Sequence, residues 1–195
     1  PSSDPNDFTG FAVAIDGNYA AIAAPNADET GAVFVYRWDG SAWNYQTRLS
    51  LPATLDSGDQ FGASVAISGS ATGNYQIAVG APGDDGTDNN SSDAGAIYFF
   101  ERVGDSWVFE QRFTPGDLPA ANRNGDQLGT GVDIISNATG IYAVAGAPGD
   151  NIIDQGVNSL PDCFAVTIIE LSRKTGENAV VLVDEYDKPI IDHIG

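Results

Sequence analysis

The feature that most constrains the fold is a segment that occurs three times along the chain. Each copy opens with a glycine and an apolar run, and it closes with a second apolar run that ends in proline. The opening glycines are Gly10, Gly62 and Gly129, which are 52 and 67 residues apart. The closing prolines are Pro25, Pro82 and Pro148. Similarity at a period of tens of residues indicates a repeat architecture, in which one supersecondary unit packs on the next.

The second copy shows what one unit contains. Two short apolar strands are predicted at 65–67 and 75–79, and Pro82 ends the second because proline cannot donate to a sheet ladder. Two longer strands are predicted at 95–101 and 107–113, where aromatic or aliphatic residues alternate with polar ones. Four strands per unit, with small residues in the inner two and aromatic residues in the outer two, predict an all-β fold of β-propeller-type blades.

Phe61-Gly62 followed by Gly80-Ala81-Pro82 resembles the FG-GAP repeat, which is known from integrin α-subunit propellers and many secreted bacterial proteins. The resemblance covers residues 7–156 approximately, and it implies about three four-stranded antiparallel units in an incomplete propeller. It also implies a non-catalytic extracellular or cell-surface module for binding or adhesion, with a protein or glycan ligand. The motif residues that shape the blades are then Gly62, Gly80, Pro82, Gly129, Gly146 and Pro148.

The first and third copies depart from this motif. The first has Thr9-Gly10 in place of Phe-Gly, and the third has Leu128-Gly129. No convincing third strand follows Pro148, so the third unit is expected to be incomplete. Because a closed propeller typically has four to eight blades, three units leave open sheet edges. Further blades, units from other chains or the residues after the third unit would cover them, and self-association through these edges is a second expectation.

Calcium is the cofactor that the acidic loops suggest. In calcium-binding members of the resembled family an Asp-rich loop joins the first two strands of a blade, but the corresponding loops here lack three oxygen donors at alternate positions. The family's metal site is therefore not carried over. The acids come one loop later, and the candidate ligands are Asp84, Asp85 and Asp88. A second set, interpreted as solvated linker acids, consists of Asp56, Asp59, Asp117 and Asp126.

Composition argues against several functions. The 27 acidic and 8 basic residues give a formal charge of −19, which disfavours nucleic acid and anionic membrane surfaces as partners. No segment approaches the ~20 continuous apolar residues of a membrane helix, so no membrane insertion is expected. Since the one histidine is His193 and no phosphate-binding loop motif occurs, catalysis has no support and the protein is expected not to be an enzyme.

The last part of the chain differs in composition. It holds both lysines and only two of the 23 glycines, so a boundary is predicted between FG-GAP repeats at 1–160 and a C-terminal extension at 161–195. Residues 179–190 resemble the Walker B region of the bacterial AAA-ATPase-like family, where Asp184 would bind Mg²⁺ through water and Glu185 would polarise the attacking water. Without a phosphate-binding loop, the extension is interpreted as a Walker-B-like remnant or an edge-covering segment.

Two conformations stay open for this extension. Segments 164–171 and 179–186 are apolar and rich in β-branched residues, so they could add to a sheet edge through main-chain hydrogen bonds. The resemblance to the ATPase-like family instead implies a helix at 168–174. The alternative function that goes with it is a fragment of a nucleotide-dependent enzyme, represented by the extension.

Overall fold

The structure is a computed structural model that describes residues 4–51, 55–70, 73–86, 93–114, 124–137 and 140–149, together with strands at 165–171 and 181–183. These residues form twelve strands. In chain order they are β1 (Val13–Asp16), β2 (Tyr19–Ala24), β3 (Ala32–Trp38), β4 (Trp43–Arg48), β5 (Ser64–Gly69), β6 (Tyr75–Ala81), β7 (Ala96–Val103), β8 (Ser106–Phe113), β9 (Gly131–Ser136), β10 (Ile141–Ala147), β11 (Ala165–Leu171) and β12 (Val181–Val183).

The strands are arranged as three antiparallel sheets of four, in the orders β1-β2-β3-β4, β5-β6-β7-β8 and β9-β10-β11-β12. These sheets are called blades 1, 2 and 3 below. The helical content of the described residues is two 3₁₀ turns, Pro5–Asp7 and Ala27–Glu29. No helix in this part of the chain is long and apolar enough to cross a membrane. The predicted all-β fold with four-stranded units, short of a closed propeller, is confirmed.

Blade 3 is more complete than the sequence suggested. Strand β11 pairs with β10 over its whole length, from Ile141 opposite Leu171 to Ala147 opposite Ala165, and β12 pairs with β11. The expectation that no third strand follows Pro148 is therefore wrong. Of the two conformations left open for the extension, the sheet-edge strand is confirmed at 165–171 and 181–183, and the helix is wrong at 168–171. The pattern was hard to see because β11 begins seventeen residues after Pro148, whereas β3 begins seven residues after Pro25. The predicted boundary at 160 lies outside the described residues and stays a prediction.

Small and apolar residues occupy the inner strands of blade 2 because these strands pack between two neighbouring blades. In β6, Ile77 and Val79 are buried in a cluster that contains residues of blades 1 and 2. Ala78, between them, is buried in the cluster that joins blade 2 to blade 3. A strand with both faces covered has no polar side for solvent, which explains its nearly continuous apolar sequence.

Hydrogen bonds repeat from one blade junction to the next. The Gly69 amide donates to Asp16 Oδ2 at 2.6 Å between blades 1 and 2. One blade later, the Ser136 amide donates to Ser68 Oγ at 2.9 Å. Equivalent repeat positions therefore make the contact at both junctions, so blade 3 packs on blade 2 as blade 2 packs on blade 1.

Candidate functional site

Each blade begins with the same four-residue turn, Asp-x-x-Gly, called the first turn below. The residue after the aspartate has a left-handed backbone, with φ of 53° to 57°, and the closing glycine has φ of 90° to 98°. The three turns are 7–10, 59–62 and 126–129. Left-handed backbone is uncommon outside glycine, so the same exception at Phe8, Gln60 and Gln127 marks a turn constrained by its surroundings.

The first turn is bonded to the end of the second strand of its own blade. The amides of Gly10, Gly62 and Gly129 donate to the carbonyls of Ala23, Gly80 and Gly146 at 2.8, 2.9 and 2.9 Å. The carbonyls of the turn aspartates Asp7, Asp59 and Asp126 accept from the amides of Asn26, Gly83 and Gly149 at 3.4, 3.2 and 3.1 Å. These bonds explain why an opening glycine and a closing Gly-Ala-Pro occur together in the sequence.

The turn aspartates are buried, so the interpretation of Asp59 and Asp126 as solvated linker acids is wrong. Their exposed fractions are 6% and 4%, and that of Asp7 is 7%. Asp59 Oδ2 accepts a hydrogen bond from the Asp56 amide at 2.7 Å. The sequence signal that could have found them is register, because each lies three residues before an opening glycine. Asp56 itself is exposed, and Asp117 lies outside the described residues.

At Gly80 the first turn of blade 3 comes close to the end of β6 in blade 2. A Cβ built at Gly80 would lie 1.9 Å from the Gly129 carbonyl oxygen and 2.3 Å from Ser64 Oγ. Ser64 Oγ donates to that same carbonyl at 2.7 Å. The close approach at Gly80 therefore has a definite partner, the first turn of the next blade. At Gly146, a Cβ would meet nothing within 4 Å among the described residues.

The most buried charge in the described residues is Asp84, two residues after Pro82. Arg112 of β8 forms an ion pair with it, with Nε at 3.2 Å from Oδ2, and the Tyr98 hydroxyl donates to the same carboxylate. The Gly86 amide also donates to Asp84 Oδ1 at 2.9 Å. Burial, followed by the nearby Asp84 charge, raises the pKa of Tyr98 far above its usual value, so this hydroxyl stays a donor.

Asp59 lies close enough to Asp84 for the charge of Asp84 to affect its pKa. Burial raises the pKa of Asp59 to about 6, and the charges of Asp84, Asp56 and Asp85 add to the shift while the Asp56 amide opposes it. The turn thus holds a carboxyl group that takes up a proton in mildly acidic solution.

The calcium candidates divide into described and undescribed residues. Asp84 is held by Arg112 and Tyr98, Asp85 accepts a hydrogen bond from the Asp93 amide at 2.6 Å, and Asp88 lies outside the described residues. No group of three His, Cys, Asp or Glu side chains in the described part of the chain could hold a metal ion. Calcium bound by Asp84 would have to displace an arginine, so the calcium site stays a prediction.

A cavity of about 270 Å³ lies beside the first turns of blades 2 and 3, and residues of all three blades line it. Its lining includes the residue after the opening glycine in each blade, which is Phe11, Ala63 or Thr130. The other lining residues are Gln60, Pro82, Gly83, Asp93 and Gln127. The cavity combines an exposed aromatic ring, two side-chain amides, a hydroxyl and a carboxylate, which are the groups that recognise a polar ligand with one apolar face.

The two Walker-B-like residues cannot be placed. Strand β12 ends at Val183, and Asp184 and Glu185 lie outside the described residues. The resemblance of 179–190 to an ATPase-like family therefore stays a prediction. The motif residues Gly62, Pro82, Gly129 and Pro148 all lie at the first turns or at the ends of β6 and β10 that these turns contact.

Comparison with protein families agrees with the repeat. Residues 43–100 match the family model described as the FG-GAP repeat. The matched segment runs from β4 of blade 1 through the first turn of blade 2 and into β7, so one sequence repeat bridges two blades. None of the curated proteins matches the chain in sequence. The FG-GAP resemblance recognised from the residues is confirmed over this segment.

Proposed function

We propose that this protein is a non-catalytic, extracellular or cell-surface module for binding and adhesion, and that its ligand is a protein or a glycan. The observation that carries the proposal is the cavity of about 270 Å³ that is lined by residues of all three blades. The FG-GAP repeat at 43–100 supports an extracellular role, since such repeats are typical of extracellular binding domains.

The lining of the cavity suits recognition rather than catalysis. The Phe11 ring is 64% exposed and offers a flat apolar surface to a sugar ring or an apolar side chain. Gln60 and Gln127 are both exposed and hold equivalent places in successive first turns. Their amides provide donors and acceptors spaced by the blade repeat, so an extended ligand that crosses two blades would be bound by both.

The test is binding of the labelled protein to arrayed oligosaccharides and to arrayed extracellular matrix proteins. The double variant Gln60→Ala, Gln127→Ala should weaken any specific binding at least about tenfold, because both amides face the ligand. Phe11→Ala should do the same. Gln111→Ala is the matched control, since it removes an exposed amide from β8, away from the cavity.

Two results would contradict the proposal. One is specific binding that survives all changes at the cavity, which would place the ligand elsewhere. The other is the absence of specific binding on both arrays when the protein is folded, as judged by its melting transition.

A further inference from the structure

Blades 1 and 3 each have one sheet face that no blade covers in the described residues. The leading face of blade 1 is defined here by Val13, Ile15 and Ile22, on the side away from blade 2. The trailing face of blade 3 is defined by Ile135, Tyr142, Val144 and Gly146, on the side away from blade 2. Both faces carry apolar side chains, and the trailing face also carries Asp133, paired opposite Val144.

The leading face of blade 1 carries side chains that the other two blades bury. Val13 and Ile15 stand three and five residues after the opening glycine, and they are 65% and 66% exposed. Their equivalents in blade 2, Val65 and Ile67, are each 9% exposed, and Ile134 in blade 3 is 7% exposed. The same repeat positions thus form the core of both internal junctions, and blade 1 presents them uncovered.

The trailing face of blade 3 carries the other half of the same junction. Gly146 stands two residues before Pro148, as Gly80 stands two residues before Pro82. At Gly80 the missing side chain makes room for the first turn of blade 3, whereas the space beside Gly146 is open. A cavity of about 170 Å³ lies on this face, lined by side chains that include Ile135, Tyr142 and Val144.

We propose that the leading face of blade 1 docks on the trailing face of blade 3 in a second copy of this chain. The first turn at Gly10 would then sit against Gly146 as the turn at Gly129 sits against Gly80. A head-to-tail contact of this kind closes into a ring when the rotation allows, and two copies supply six blades. Six lies within the four to eight of closed propellers, so the expected product is a closed dimer.

One residue on the trailing face opposes docking, and its replacement therefore gives a test in which the contact should become tighter. Asp133 stands four residues after Gly129, where blades 1 and 2 have Ala14 and Ala66. Its side chain accepts a hydrogen bond from the adjacent Ile134 amide at 2.8 Å, and the side chain is exposed. Covering this carboxylate with an apolar face costs free energy, so Asp133→Ala should tighten the contact.

The experiment is sedimentation velocity of the full chain from low micromolar to near-millimolar concentration. The wild-type protein should form a dimer with rising concentration. Ile15→Asp should raise the dissociation constant at least about tenfold, and Asp133→Ala should lower it by about tenfold. The matched control is Val108→Asp, on β8 of blade 2, where the side chain is 49% exposed but belongs to neither end face.

The outcomes separate cleanly when the melting transition of each variant shows that it is folded. A dimer weakened by Ile15→Asp, strengthened by Asp133→Ala and unchanged by Val108→Asp supports the proposal. A wild-type chain that stays monomeric over the whole range overturns it. A dimer whose dissociation constant is unchanged by both Ile15→Asp and Asp133→Ala overturns it as well. Species larger than the dimer would contradict the closed ring.

Discussion

The trailing faces of blades 2 and 3 are equivalent in the repeat, but among the described residues only the trailing face of blade 2 is covered by another blade. Comparing them shows which contacts the repeated motif makes within a blade and which it makes between blades. On blade 2 this side receives the first turn of blade 3, with Gly80 against the Gly129 carbonyl. On blade 3 a Cβ built at the equivalent Gly146 would meet nothing within 4 Å among the described residues, and Pro148 is exposed where Pro82 is buried. The motif therefore serves two purposes, one within a blade and one between blades. The bond from the opening glycine to the strand end is made in every blade, whereas the close glycine contact needs a neighbour.

The largest effect expected from this comparison is at the two glycines. Gly80→Val should destabilise the protein by about 4 kcal/mol, because the new side chain meets backbone and Ser64, which cannot move away without separating the blades. Gly146→Val should change stability by no more than about 0.5 kcal/mol, as for a surface substitution. Urea unfolding at low protein concentration measures both. Equal losses at the two positions would mean that the trailing face is covered.

The second comparison is between two arginines at equivalent places in the outer strands. Arg112 pairs with Asp84, which is only 3% exposed in its side chain, whereas Arg48 pairs with Asp28, which is 65% exposed. Arg112→Leu leaves a buried carboxylate without its counter-ion and should cost about 3 kcal/mol. Arg48→Leu should cost less than about 1 kcal/mol.

Denaturant unfolding of the two arginine variants at pH 7 makes the test. If Arg48→Leu were as damaging as Arg112→Leu, burial would not be what distinguishes the two pairs. Adding Asp84→Asn to Arg112→Leu should recover part of the loss, since the amide no longer carries the unpaired charge.

A smaller effect, a gain in stability at neutral pH rather than a loss, is expected when Asp59 is replaced. Its pKa is about 6 in the folded protein against 3.8 in a model compound, so the folded state holds the proton more tightly than the unfolded state. The stabilisation is complete below pH ~4 and is lost as the pH rises through about 6, a change of about 1–2 kcal/mol. Asp59→Asn should raise stability at pH 7.5 and flatten the profile between these values.

Stability measured across this pH range in both proteins checks the assignment. An Asp59→Asn profile parallel to that of the wild type would show that another group titrates there. Asp126 lies in the equivalent turn and offers the matched variant, Asp126→Asn, for a turn aspartate without the Asp84 ion pair beside it.

The smallest effect is expected from calcium. Since Asp84 is already neutralised by Arg112, excess calcium should raise the melting temperature little or not at all. The double variant Asp84→Asn, Asp88→Asn should show the same response to calcium as the wild type. Titration calorimetry that found submicromolar calcium affinity would contradict this expectation.

Much of the fold could be predicted from the sequence because the repeat fixes position as well as pattern. The opening glycines and closing prolines placed eight inner and outer strands of blades 1 and 2 without ambiguity. For 164–171 the sequence left a sheet-edge strand and a helix open, and β11 confirms the strand. The repeat itself did not place this strand in blade 3 because the connection before it is long and its residues lack the Gly-Ala start of β3 and β7. The different composition of the last part of the chain did not predict whether it pairs with the blades, since a strand of any composition can pair through its backbone.

The candidate site was harder to predict because its important residues depend on contacts between blades. Residue type does not distinguish the buried Asp59 from the exposed Asp56, and only the position of Asp59 three residues before Gly62 does so. Gly80 and Gly146 are both followed by Ala-Pro-Gly-Asp in sequence, but they have different neighbours in space. Only the order of the blades decides which of them is enclosed.

Hydrogen exchange of the three first-turn glycines tests the central claim, that all blades share one turn and differ in what covers it. Each of these amides donates to a carbonyl at 2.8–2.9 Å, but Gly62 and Gly129 are buried at blade junctions and Gly10 is exposed. We expect strong and similar protection at Gly62 and Gly129 and weaker protection at Gly10. If Gly129 exchanged as fast as an unstructured amide while Gly62 stayed protected, blade 3 would not be packed on blade 2 as described.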